Sequence, residues 1–302
     1  MSESSTESKK VTIVTHSSKF HTDDIFAVAT LTLVLGEENI KVVRSRDQEV
    51  IKMGGYVVDV GGVYDFDKKR FDHHQIGGAG KRDNGIPYAS FGLVWKHFGE
   101  KICGDLEISE KIDQTLVQPI DAGDNGIEIV DLRFKNIHPN TIVSYFESFN
   151  PTWKSNDTER LEPFIKAVNL ARDYIIREIV IESDLIEVRE IVRNIYELSA
   201  DKRLVVLDRF YPVSDALNNT KEVLFSIYPQ EGNGWVIKAI KDDDESFVYR
   251  KLLPKEWAGQ TSMGLEKITG VLGANSCHND RYIATAKSKE AILKMAEIAL
   301  NS

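Results

Sequence analysis

Four of the seven histidines lie next to carboxylates, and these are the places where the chain could do chemistry. His16 directly follows a β-branched run, VTIVT, and His21-Thr22-Asp23-Asp24 opens a long apolar segment. Asp59 sits at the carboxyl end of YVVDV, Asp72-His73-His74 follows Phe71, and Asp121 and Asp124 share the segment PIDAGDNG. Imidazoles and carboxylates that converge without cysteine suit a borderline or hard divalent cation. Each motif alone has a plainer explanation. A lone His after a strand is commonly a surface or core residue, and acidic residues in a first helical turn complement the helix dipole. Asp59 is the strongest single case, because a carboxylate in so apolar a strand needs a partner. Coincidence does not account for the whole set.

The surrounding pattern predicts elements that bring these residues together. Val11–Thr15 reads as a buried strand, followed by a polar loop of Ser17, Ser18 and Lys19. Asp23 and Asp24 begin a helix that runs to Leu35, with Gly36 as its stop, and residues 40–43 and 56–60 read as strands. Strand, helix, strand at this spacing is the grammar of a parallel sheet. In an open parallel sheet the loops at the carboxyl ends of the strands share one crevice, so motifs a hundred residues apart should meet there.

Further along, a glycine-rich loop at 77–85 precedes a helix at 89–98 with Gly99 beyond it, and helical spacing recurs over 106–120. Asn150-Pro151 breaks the chain before long charged helices at 150–200. Residues 204–207, 223–228 and 235–240 read as strands, and 288–300 as a closing amphipathic helix. The fold class expected is α/β. A parallel-sheet domain over 11–150 is joined by a helical connector, 151–200, to a smaller α+β domain over 201–302.

Composition narrows the function classes. At 302 residues the chain exceeds the ~250–300 at which one core usually stops growing. With 42% hydrophobic and 28% charged residues it is neither disordered nor fibrous, and it lacks the ~18 uninterrupted apolar residues of a membrane span. A net charge of −9 argues against gripping a long duplex over the whole surface, but not against a short nucleic acid in a local pocket. The start, MSESSTESKK, has no apolar core of a secretory signal and reads as a disordered tail. Cys103 and Cys277 form no C-x-x-C pair and no disulfide framework, which fits a reducing cytoplasm.

The segments THSSKFHTDD, VVDVGGVYD, RFDHHQ and DAGDNG, followed by NPTW, resemble the melanocyte-proliferating-gene family, a branch of the DHH phosphoesterase superfamily. That superfamily also holds single-strand exonucleases, oligonucleotide hydrolases and a class of inorganic pyrophosphatases. The resemblance runs from about residue 11 to 302. It is strong through Trp153 and is carried afterwards by SFVYRKLLPKEWAG and KEAILKMA. FDHHQ with an upstream VVDVGG is a specific pair, whereas DHH alone is not.

The resemblance implies two divalent metal ions, usually Mn2+, with Mg2+ as the alternative. It implies His16 and His21 on one ion, Asp23, His73 and Asp121 on the other, and Asp59 bridging. His74 would face the scissile phosphate and Asp72 would support it or His73, with Asp124 a lesser candidate. Two divalent cations against Asp23, Asp59 and Asp121 leave one positive charge, which suits a phosphodiester. Such a pair of ions activates water, so no Ser or Cys nucleophile is needed. Two departures stand out. The superfamily places an Asp after three residues where this chain places His21 after four, which leaves Asp23 and Asp24 as alternatives. Near the end the family follows its His with small residues and glycine, whereas this chain reads CHNDRYIATA, with Arg281 where glycine is expected.

In the second domain, His278, Arg250 and Arg281 are candidates for phosphate contacts and Trp257 for stacking on a base, with packing as its alternative. The expected function is a metal-dependent phosphodiesterase, a 3′–5′ exonuclease on RNA or short single-stranded oligonucleotides. Hydrolysis of pyrophosphate or a dinucleotide, or a non-catalytic nucleotide-binding module, are the alternatives.

Overall fold

Three apolar runs near the start become neighbouring strands of one sheet. β1 (Val11–Thr15) pairs in parallel with β2 (Ile40–Arg44) on one side and β3 (Tyr56–Val58) on the other. β5 (Arg70–Phe71) continues the parallel set beside β3, and β4 (Tyr64–Asp65) closes the edge antiparallel, giving the order β2-β1-β3-β5-β4. The computed structural model describes residues 10–155, 160–217, 220–232, 234–242 and 248–302. Apart from Lys10, the expected amino-terminal tail lies outside them, as do Ser246 and Phe247 of the SFVYRK segment.

α1 (Thr22–Leu35) crosses from β1 to β2 and is buried from Thr22 to Thr32, which explains a sequence that is apolar on every face. Its three buried threonines do not cost unmade hydrogen bonds, since Thr22 donates to the carbonyl of Val143 at 3.2 Å, and Thr30 and Thr32 to those of Phe26 and Val28 at 2.8 Å. α1 packs chiefly against α3 (Ser90–Cys103). The latter runs through Gly99 rather than ending there, as the sequence had suggested. A Cβ at Gly99 would lie 2.6 Å from Ser109 Oγ, so this glycine serves a close approach to α4 (Leu106–Ile112), and Gly104 ends the helix at φ +71°. The short α2 (Gln48–Met53) lies between β2 and β3.

The helical stretch expected over 106–120 is α4, a π-helical turn at Asp113–Val117, and α5 (Gln118–Asp124). After α6 (Ile142–Glu147), the charged region is one helix of 38 residues, α7 (Leu161–Leu198). The chain divides into two compact units after Glu182, inside that helix. Among the described residues, no helix is long and apolar enough to cross a membrane.

The carboxyl-terminal unit has its own five-stranded sheet, built from β6 (Leu204–Val206), β7 (Phe225–Gln230), β8 (Gly234–Ala239), β9 (Ala274–Cys277) and β10 (Ile283–Ala286). Its order is β6-β7-β8-β10-β9, with only β6 and β7 parallel. The four-residue α8 (Ser214–Leu217) precedes β7 and α9 (Ser262–Thr269) precedes β9. α10 (Lys289–Asn301), capped by the Ser288 hydroxyl accepting from Ala291 N, buries Ile292, Met295 and Ala299 in the same core as Phe225, Ile237 and Trp257.

Candidate metal centre

The histidine and aspartate motifs gather at the carboxyl ends of β1, β3 and β5, as the parallel sheet requires. His16 follows β1 and is buried, with Nδ1 donating to the Ser17 carbonyl at 2.9 Å. That bond fixes the tautomer and turns Nε2 towards Asp59 Oδ2 at 3.2 Å and Asp24 Oδ2 at 3.3 Å. Asp59 follows β3 in the left-handed backbone region, φ +54°, which Asp tolerates better than most residues. Its peptide N–H donates to Phe71 O at 3.1 Å, so β5 holds this turn in place. On the other side, His73 Nε2 lies 3.4 Å from Asp59 Oδ1 and 3.1 Å from Asp124 Oδ2.

Three overlapping groups of potential ligand atoms result, each with its atoms within 4.8 Å of one another: His16, His21 and Asp59; Asp23, His73 and Asp124; and Asp59, Asp72, His73 and His74. His16 Nε2 and His73 Nε2 are buried and make no hydrogen bond among the described residues, although carboxylate oxygens stand at ion-pair distance. Nitrogen and oxygen atoms side by side, near but not aimed at each other, are what a ligand set for a shared cation looks like. The donor set is four imidazoles and several carboxylates with no thiolate, so the residues fit divalent ions that accept both nitrogen and oxygen.

The two candidate acidic residues of α1 part company. Asp23 accepts from the peptide N–H groups of Ser90 and Phe91 at 3.1 and 2.7 Å, at the first turn of α3, and belongs to the group with His73 and Asp124. Asp24 accepts from His21 N at 2.9 Å and sits behind His16. Asp72 accepts from the N–H of Gly62 and holds His74, whose Nδ1 donates to Asp72 Oδ1 at 2.7 Å. The His74 side chain is 61% exposed, the most open group of the cluster.

Electrostatics follow from this crowding. Burial and the nearby carboxylates Asp124, Asp59 and Asp121 push the Asp23 carboxyl well above its ordinary range. Burial likewise lifts Asp24 to about 7. Burial would raise Asp59 too, but the imidazoles of His16 and His73 beside it hold it well below the usual carboxylate range. For His73 burial works downward, yet Asp124, Asp59 and Asp23 push the imidazole up to about 11. A cation binding here must displace such protons.

Asp121, expected among the ligands, is not in this cluster. Its carboxylate accepts from Arg82 Nη1 at 2.7 Å and from Gly92 N at 3.0 Å, and burial raises it to about 7. Arg82 also grips Asp113 with two hydrogen bonds, 2.8 and 3.1 Å, tying the glycine-rich loop to the π-helical turn. Asp124, three residues on in α5, takes the place facing His73. Sequence reasoning missed Arg82, which carries no motif. It also missed the role of Asn150, whose side chain brackets Phe20, accepting from its N–H at 2.9 Å and donating to its carbonyl at 2.7 Å. Asn150 opens NPTW, so this distant motif pins the loop between His16 and His21.

The second-domain candidates fare differently. Trp257 is 2% exposed in the core of its unit and offers no face to a base, because packing with Leu253 and Leu265 claims the ring. Arg250 spends its guanidinium on the carbonyls of Leu217, Thr220 and Val223, which makes it a tie between chain segments rather than a phosphate contact. Arg281 Nη1 donates to Leu253 O at 3.1 Å. Its backbone has φ +60°, a conformation that favours glycine, the residue the family pattern has there. His278 is half-exposed in the same turn, with Nδ1 accepting from Asp280 N and its ring 4.7 Å from that of Tyr282.

A model of the MYG1_exonuc family, described as Uncharacterised protein family (UPF0160), matches residues 12–300. The chain is 30% identical to the MYG1 protein of Dictyostelium discoideum, covering 96% of this chain and 97% of the relative. It is 26% identical to the human protein called MYG1 exonuclease and 27% identical to the rat protein of that name. Both alignments cover 95% of this chain, with 85% of the human and 84% of the rat protein.

Proposed function

The chain belongs to the MYG1_exonuc family, and from that premise we propose that it is a metal-dependent phosphodiesterase, an exonuclease that removes nucleotides from RNA or short single-stranded oligonucleotides in the 3′–5′ direction. The relatives named MYG1 exonuclease put it in the hydrolase class. The observation that carries the metal-dependent reading is the pair of triplets, His16–His21–Asp59 and Asp23–His73–Asp124, with Asp59 flanked by an imidazole from each.

In this reading His16 and His21 would hold one divalent ion, Asp23, His73 and Asp124 would hold a second, and Asp59 would be within reach of both sets. Bound ions would supply positive charge to activate a water and to stabilise the leaving oxygen. The chain's own residues do the rest. Ser17 and Asp24 orient His16, the first turn of α3 orients Asp23, and Asp72 holds His74 so that its exposed edge can meet the phosphate. Three imidazoles favour manganese over magnesium.

The test is purified protein with manganese, with magnesium or with EDTA, given end-labelled RNA, DNA, short oligonucleotides and pyrophosphate in parallel. Manganese-dependent loss of single nucleotides from the 3′ end is expected. Asp59→Asn, which keeps a residue tolerant of φ +54°, should lose far more than the ~10–100-fold that removal of an outer partner costs. Turnover of pyrophosphate alone would replace this substrate assignment, and activity undiminished by EDTA would overturn the metal-dependent mechanism.

A further inference from the structure

The carboxyl-terminal unit contains a cavity of ≈ 220 Å³ lined by Phe210, Tyr211, Ser226, Tyr228 and Lys238, among others. Phe225 and Ile227 point into the core shared with α10, so Ser226 between them alternates to the opposite sheet face. Ser226 Oγ is fully buried and has no hydrogen-bond partner among the described residues, an arrangement that costs free energy unless something in the cavity accepts from it. Lys238 stands directly across from Ser226 in the β7–β8 register, and its ammonium makes no hydrogen bond or ion pair among the described residues. The remaining wall is aromatic. The rings of Phe210 and Tyr228 meet at 5.3 Å, and Phe210 is 58% exposed at the rim.

A ligand that satisfies every part of this lining needs a flat ring, a hydrogen-bond acceptor and a negative charge. A purely apolar molecule would leave Ser226 and Lys238 unmatched, and a bare anion would leave the aromatic wall unused. The volume lies below the ~300–1,000 Å³ of drug-sized sites, so the cavity encloses only part of such an occupant and the remainder lies at the open rim beside Phe210. We propose that this cavity binds one nucleoside monophosphate unit, its base against Phe210 and Tyr228, its phosphate at Lys238, and the Ser226 hydroxyl donating to it. The choice of a nucleotide over other aromatic anions rests on the phosphodiesterase reading, since water-driven removal of a terminal nucleotide releases a compound of this class.

Binding is measured on the full chain in EDTA, which keeps divalent cations out of the other unit, by calorimetric titration with AMP, GMP, CMP and UMP, and with adenosine and inorganic phosphate separately. At least one mononucleotide should bind at a single site, with adenosine and phosphate each at least ~10-fold weaker. Lys238→Gln and Ser226→Ala should each weaken binding by about tenfold. Without ligand, Ser226→Ala should melt no lower than the parent, because it removes a buried hydroxyl that makes no bond. Absence of mononucleotide binding overturns the proposal, as does binding that neither substitution changes. A manganese-dependent hydrolysis assay on the same preparation separates the two claims: binding without turnover removes the phosphodiesterase reading and leaves the cavity assigned, and turnover without binding does the reverse.

Discussion

His73 Nε2 faces Asp124 Oδ2 at 3.1 Å, whereas Asp121, three residues earlier in α5, gives its carboxylate to Arg82. Two acidic residues of one short helix therefore meet different partners. Asp124→Asn should weaken manganese affinity by more than ~10-fold and lower activity with it, leaving the fold intact. Asp121→Asn should instead cost about 1–3 kcal/mol of stability, because Arg82 loses one of its buried partners. Metal titration and chemical denaturation on both variants check this, and the reverse pattern would return Asp121 to the ligand set.

Gly92 lies where α3 meets that pair. A Cβ there would stand 1.9 Å from Asp121 Oδ2 and 2.9 Å from Arg82 Nη2. Gly92→Ala should destabilise by about 1–3 kcal/mol, the usual range for overpacking. Combined with Asp121→Ala, which clears the space, the added loss should shrink. Equal losses in both backgrounds would show that the close approach is not the cause.

Asn150 is predicted to act on the metal through the loop it holds. Asn150→Ala removes the bracket around Phe20, while the Phe20 ring remains packed on Phe164 at 5.4 Å. Metal affinity should fall by about 10-fold, with a stability loss of about 1–2 kcal/mol. Unchanged affinity would mean that the His16–His21 loop keeps its shape without this side chain.

The turn at Arg281 offers a test of backbone conformation. With φ +60°, any side chain there is strained relative to glycine. Arg281→Gly should be more stable than Arg281→Ala by about 1 kcal/mol, since both lose the bond to Leu253 O and only glycine relieves the left-handed conformation. Urea midpoints of the two variants decide it.

The pH dependence of the metal-free protein should follow His73. Its imidazole titrates at about 11 in the fold, against an ordinary value of 6.5. The stabilisation from the protonated form is therefore complete below pH 6.5 and is lost as pH rises towards 11. In EDTA the melting temperature should fall between pH 6.5 and 9, and His73→Gln should flatten that slope. Manganese affinity should move the other way, rising with pH as the proton becomes easier to displace. A parent profile as flat as that of the variant would rule out this proton as the source.

The parallel strands β1, β2 and β3, the α1 helix with its stop at Gly36, and the clustering of His16, Asp59 and His73 at strand ends were all legible in the chain itself. These follow from local signals, namely β-branched runs, helix boundaries and the rule that a parallel sheet gathers its carboxyl-terminal loops. Only the tertiary structure decided which of Asp121 and Asp124 faces His73. They lie three residues apart, within one turn of a helix, and which of them meets His73 depends on Arg82 reaching in from a distant loop. The same holds for Trp257, whose type suits a core or a binding face equally until its neighbours are known. Residue type and period determine what a segment can be, whereas the direction of a particular side chain is set by contacts with residues remote in sequence.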